Sequence, residues 1–234
     1  MVDRLITEIV SIKDRDPKSQ TDHDYDRRNY ITNKLFGTVS LHDAFARKHP
    51  EFCLGTVIWM ESFGNVNKLK AKKDAKVYSS DGKLGATIRI HPNRNKLIRC
   101  WSDYEEHPGG AYLYFEQHSN IVWLDDRRKE IHRYDPQIGY EAEETKAIDT
   151  ALKDFFSSYT PDYTYRGNTL SEKECVQGVR WKERGILDCF CQEYTLIYAY
   201  NRLAGMSHKE AALDLLNARG KMEEKIKRFY LQLI

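Results

Sequence analysis

Apolar positions recur along this chain with two different periods, and the changes of period divide it into elements. At the start, Leu5, Ile6, Ile9, Val10 and Ile12 fall mostly on one face of a 3.6-residue spiral, which predicts a helix over residues 1–12. Residues 13–29, "KDRDPKSQTDHDYDRRN", are polar and charged and hold the turn signal Asp16-Pro17, so they are predicted to form a mobile loop. A short helix is predicted over 41–51, ending near Pro50, and "LGTVIWM" at 54–60 predicts a strand. Between 75 and 100, β-rich segments separated by Asp81-Gly82 and by "HPNRN" predict a meander.

The middle of the chain is the most regular. "AYLYF" (111–115), "NIVWL" (120–124) and "EIHRYD" (130–135) are strand-like, with "DDRRK" as a charged hairpin turn between the last two. "TKAIDTALKDFFSSY" (145–159) then sets Ile148, Leu152, Phe155 and Phe156 on one helical face, and "DYTYRG" predicts a further strand. "CQEYTLIYAYNRLAG" reads as a buried helix stopped at Gly205. Ser207 is placed to N-cap a last amphipathic helix, with Glu210 at the capping-box position. Strands in the centre with helices on either side predict an α+β fold. No internal repeat or low-complexity segment interrupts the pattern.

Composition adds bounds to this picture. A chain of 234 residues, 31% charged and 12% aromatic, has an ordinary globular profile and is long enough to bury a sizeable core. It is expected to comprise an N-terminal helical extension, 1–60, packed on or next to a catalytic-size domain, 61–234. The net charge of +2 gives no global argument for nucleic acid. Locally, residues 67–99 carry ten Lys/Arg against Asp74 and Asp81, an excess that could steer an acidic partner or a phosphate backbone and that is otherwise a solvated hairpin face. No run approaches the ~18 apolar residues of a membrane span, and the N-terminus has no signal-peptide core, so a cytosolic-type compartment and no membrane partner are expected. The five cysteines, Cys53, Cys100, Cys175, Cys189 and Cys191, are odd in number and dispersed, which predicts reduced thiols.

Two of those thiols, Cys189 and Cys191, stand at the onset of the apolar helix. A cysteine nucleophile needs its thiolate, which an adjacent histidine supplies near neutral pH and a helix N-terminus favours further. Of the eight histidines, His118 is the best placed, lying between two core-like strands from which it would emerge at a sheet rim. Asp135 ends the following strand. In an antiparallel hairpin the start of one strand lies beside the end of the next, so a Cys–His–Asp set is geometrically open. Singly, each residue has an ordinary reading: a structural histidine, a strand-ending aspartate before Pro136, a small packed cysteine. A metal set of Cys175, Cys189, Cys191 and a histidine lacks the usual zinc spacing, and no metal is expected. Asp125, Asp126, Glu141, Glu143 and Glu144 read as solvated charges.

The run "HSNIVWLDDRRKEIHRYDPQ" resembles the His-to-acid hairpin of the cysteine-peptidase clan that holds the SUMO proteases, the adenovirus protease and the maturation proteases of large DNA viruses. The order His, acid, Gln, Cys is also that of the clan, with Gln177 in "CVQG" and with Phe190, Cys191 and Tyr194 matching the large-virus branch around the nucleophile. The resemblance covers about residues 110–205. It implies a papain-like, adenain-like fold with a central mixed or antiparallel sheet flanked by helices. It also implies Cys191 as nucleophile, His118 as general base, Asp135 as the residue orienting the imidazole, and Gln177 as a side-chain donor to the oxyanion.

The activity so implied is that of a cysteine endopeptidase cutting after small, Gly-Gly-like residues in a viral structural precursor, in the host cytoplasm or the virion, without metal or organic cofactor. A deconjugating isopeptidase for ubiquitin or a SUMO-like modifier would use the same four residues. A non-catalytic nucleic-acid-binding or packaging protein on a degenerate protease fold would instead use the basic 67–99 segment.

Overall fold

In the computed structural model the described residues are 1–11, 22–37, 41–49, 53–61, 77–78, 96–105, 115–125, 127–136, 149–150, 152–154, 156–157, 161–177, 179 and 190–234. They belong to two compact units, one made of residues 1–50 and 172–234 and the other of 51–171. The first unit sets the N-terminal helices together with the C-terminal ones.

The first unit is helical. Helix α1 (Val2–Ser11) buries Ile6, Ile9 and Val10, the face its periodicity marks. Helix α2 (Asp22–Phe36) begins inside the stretch expected to be a loop, which corrects that expectation for residues 22–29. Its inward seam is Arg28, Ile31 and Thr32, all buried. Two of the three are polar, so no apolar stripe announces it. Residues 12–21 lie outside the described set. Helix α3 (Leu41–Lys48) brings in Phe45, whose ring lies 6.1 Å from that of Phe229 and 4.7 Å from His49.

Helix α4 (Cys191–Leu203) is the hub: every residue from Cys191 to Ala199 is buried. A helix apolar or buried all round belongs in a core rather than at a surface. It ends in a Schellman motif, in which Gly205 at φ +91° lets its own N–H donate to the Arg202 carbonyl (3.1 Å) and the Met206 N–H donate to the Asn201 carbonyl (3.1 Å). Ser207 then caps helix α5 (His208–Asn217) with the full reciprocal box: Glu210 N–H donates to Ser207 Oγ (3.3 Å) and Ser207 N–H to Glu210 Oε2 (2.8 Å). The hydrogen bond from the Ser207 N–H, and after it the one with the Ser207 side chain, hold the Glu210 carboxyl below its usual range. Helix α6 (Met222–Leu233) closes the unit, burying Ile226, Phe229 and Tyr230, and it packs on α1 and α3.

The second unit is a six-stranded sheet. Its strands are β1 (Cys53–Glu61), β2 (Val77–Tyr78), β3 (Lys96–Glu105), β4 (Phe115–Asp125), β5 (Glu130–Tyr134) and β6 (Thr164–Gly167), in spatial order β2-β1-β3-β4-β5-β6. β1 and β3 are parallel, as are β5 and β6; the other pairs are antiparallel. Of the meander expected over 75–100, residues 75–76 and 79–95 lie outside the described set. β2 is only two residues long and flanks the outer side of β1, and β3 crosses to the inner side, which the long 62–95 connection permits. The described residues of 149–157 are helical and bury Leu152 and Phe156, with Phe156 stacked on Tyr165 of β6 at 5.9 Å.

Candidate active site

The site residues named from the sequence fall in both units, two in each: Gln177 and Cys191 in the helical unit, His118 and Asp135 in the sheet unit. Their local settings follow from the elements that carry them.

Cys191 is the first residue of α4. Its N-cap, Phe190, has φ −94° and ψ 25° and supplies no side-chain cap to the first turn. The first helical bond is Tyr194 N–H to the Phe190 carbonyl, 2.9 Å. The N–H groups of the opening turn, and the partial positive charge they sum to, thus gather where the thiol is attached. Cys191 keeps 8% exposure while Cys175 has none. Both described thiols of this unit are buried, Cys191 the less completely. Cys189, the alternative nucleophile, lies outside the described residues.

A carboxylate sits two residues further on. Glu193 is buried, accepts a hydrogen bond from Tyr230 Oη (2.8 Å) and has Arg28 Nη1 at 3.6 Å from its other oxygen. Burial, and next the Glu193 charge, push the Tyr230 hydroxyl well above its usual pKa, so it stays a donor. The Arg28 guanidinium that faces this carboxylate comes from α2, 165 positions earlier in the chain. Sequence reading missed this set; the signal was a Glu inside an otherwise apolar helical run, which requires a partner when buried.

Gln177 is buried in a helical turn at 176–177 that follows the 3₁₀ turn Glu172–Glu174. Lys209 Nζ of α5 holds that turn through Glu174 Oε1 at 2.9 Å.

In the sheet unit, His118 lies within β4, paired with Ser102 of β3. It is not between two strands, as the sequence suggested, because 115–125 is one unbroken strand. Pairing with β5, however, runs only from Ile121↔Tyr134 to Asp125↔Glu130, so position 118 extends past the end of β5. The register is fixed by the turn, where Asp125 Oδ1 accepts from the Arg127 and Arg128 N–H groups (3.1 and 3.0 Å) and Lys129 takes φ +54°. Two-residue alternation puts positions 118, 120 and 122 in phase with Arg133 of the neighbouring strand, and Asp135 directly follows Tyr134, the last residue of β5.

Asp135 is anchored. Its Oδ2 accepts from Arg133 Nη1 at 2.9 Å, and both side chains are buried. Arg133 also donates through Nε to Asp149 Oδ1 (2.8 Å) and through Nη2 to Asp149 Oδ2 (3.2 Å). The Tyr165 hydroxyl donates to Asp149 Oδ1 at 2.7 Å. Arg133 and Asp149 were not singled out from the sequence, although a cation in phase with buried Ile131 in a strand is itself a sign of a paired interior charge. Among the described residues no cluster of His, Cys, Asp or Glu could hold a metal ion, and no helix is long and apolar enough to cross a membrane.

No family model matches the chain, and no curated protein matches it.

Proposed function

We propose that the chain is a cysteine endopeptidase of α+β, adenain-like build that cleaves after small, Gly-Gly-like residues. Cys191 is its nucleophile, His118 its general base, Asp135 the residue that orients and electrostatically supports the imidazole, and Gln177 a donor to the oxyanion. The observation that carries the reading is the setting of Cys191: the first position of a buried helix whose N-cap residue gives the opening turn no side-chain hydrogen bond. The N–H groups of this first turn point along the helix axis, and the helix dipole favours a thiolate there and, in the next step, the tetrahedral oxyanion.

The chemistry runs in two stages. His118 takes the thiol proton, the thiolate adds to the scissile carbonyl, and the imidazolium returns the proton to the leaving amine as the thioester forms. Water, deprotonated by the same imidazole, then hydrolyses the thioester and frees the thiol. The phase shared by positions 118 and 133 on neighbouring strands, with Asp135 held by Arg133, supports the His–Asp half of this scheme. Buried Gln177, in the same unit as Cys191, supports the oxyanion half.

The test is a comparison of Cys191→Ala and Cys189→Ala on fluorogenic peptides ending in Gly-Gly. Cleavage should fall to background for Cys191→Ala and persist for Cys189→Ala; the reverse pattern would move the nucleophile, and loss in neither would remove the peptidase reading. Gln177→Ala should lower kcat by ~10²–10³, the usual effect of deleting one oxyanion donor.

A further inference from the structure

We propose that Arg133 is a positioning residue of this site, holding Asp135 in place through one N–H while Asp149 engages its other edge, so that Asp135 still presents negative charge to the imidazole. The inference rests on the peptidase reading and adds to it a part for two residues, Arg133 and Asp149, that the four-residue scheme does not use.

The geometry is asymmetric. The guanidinium gives Asp149 two hydrogen bonds, at 2.8 and 3.2 Å, and Asp135 only one, at 2.9 Å. Arg133 is wholly buried, Asp135 is 1% exposed, and Asp149 is 23% exposed. A guanidinium fork paired with a carboxylate is the strongest directional ion contact available to side chains. A lone Arg133–Asp135 pair would be neutral and would do little for an imidazolium nearby. With Asp149 present, the three side chains sum to one negative charge, and the imidazolium is the ion of opposite sign that the scheme brings to Asp135.

The groups facing Arg133 come from three elements: Asp135 from the end of β5, Asp149 from the 149–157 helical stretch, and Tyr165 from β6. Burial works against the Arg133 charge, but Asp149 and then Asp135 outweigh it and raise its pKa well above the ordinary value. Arg133 is therefore charged throughout the working range. Glu130, His132 and Arg166 are tied to one another instead. The backbone also fits closely around Asp149: Gly167 has φ +67°, and a Cβ there would come within 3.1 Å of the Asp149 Cγ and Oδ1 atoms. The Asn168 N–H approaches Asp149 Oδ2 at 3.5 Å.

Two variants should move the pH profile of kcat/KM in opposite directions. In Arg133→Gln the two carboxylates lose their cation. Asp135 then binds a proton more readily, raising the acid limb, and while ionised it stabilises the imidazolium more, raising the alkaline limb. The ratio of kcat/KM at pH 8.5 to that at pH 6 rises. In Asp149→Asn the guanidinium charge falls undivided on Asp135, the imidazolium is less stabilised, and the alkaline limb and the ratio fall. A displacement of half a pH unit changes the ratio about threefold on the affected limb. A purely structural ion pair would lower the amplitude in both variants and leave both limbs in place, and that result overturns the proposal. Should Arg133→Gln fail to fold, the half-buried Asp149→Asn decides alone, and an unmoved alkaline limb there is sufficient to discard the idea. Absence of Cys191-dependent cleavage in the unmodified protein is a separate outcome: it removes the peptidase reading and this inference with it, whereas an active protein with fixed limbs removes the inference only.

Discussion

Glu193 and Tyr230 show how much of the helical unit depends on single polar contacts. Tyr230 donates to a buried carboxylate in the first turn of α4, and hydrogen bonds to charged groups contribute about 1.5–3 kcal/mol. Tyr230→Phe should cost stability of that order, read from urea unfolding at neutral pH. The pH dependence has a definite sign. Burial and the Glu193 charge raise the hydroxyl's folded-state pKa above its unfolded value, so its contribution is complete below the unfolded pKa. It is lost as pH rises toward the folded one. Stability of the unmodified protein should therefore decline above about pH 10, where an unfolded tyrosine ionises, and the decline should be shallower in Tyr230→Phe.

At the scale of elements, the clearest devices lie between α4 and α5. Ser207→Ala removes the cap and should cost about 1 kcal/mol in unfolding free energy. Gly205→Ala meets no neighbouring atom within 4 Å but forces a side chain into φ +91°, so a loss of about 1 kcal/mol is expected from backbone conformation alone. The Glu210 half of the box has a depressed carboxyl pKa, so its share is present above the unfolded value and fades as pH falls through the folded one.

These same elements show what the sequence made legible. The Ser207 box, the Gly205 stop and the Asp125 turn depend on residues within a few positions of each other, and each could be read in place. Helix α2 could not, because its inward positions include Arg28 and Thr32, and the carboxylate that accounts for Arg28 belongs to a helix far along the chain. The parallel β1–β3 pairing was hidden for a related reason: which strand lies beside which is decided by tertiary packing, not by the period of either strand. At the candidate site, the identities of Cys191, His118, Asp135 and Gln177 came from order and context. The anchoring of Asp135 by Arg133 and Asp149 appeared only with the register and the distances.

On the scale of the whole molecule, residues 1–50 and 172–234 form one compact unit although the sheet unit separates them in sequence. Phe45 is wholly buried and lies against Phe229 of the last helix. Phe45→Ala should cost about 3–5 kcal/mol. Deletion of residues 1–50 should abolish cooperative unfolding of the helical unit, monitored by thermal melting of helical circular dichroism. Retention of a sharp transition would assign the N-terminal helices a lesser part than their packing implies.

The proposed chemistry makes a further demand on the whole chain, since the thiol is carried by one unit and the imidazole by the other. The most direct measurement of that demand is the pH dependence of alkylation of Cys191 by a small uncharged reagent, mapped by mass spectrometry, in the unmodified protein and in His118→Ala. The expected result is a profile in the unmodified protein that lies at lower pH than the profile of His118→Ala. Superimposable profiles in the two proteins would contradict the pairing of Cys191 with His118 on which the proposed function depends.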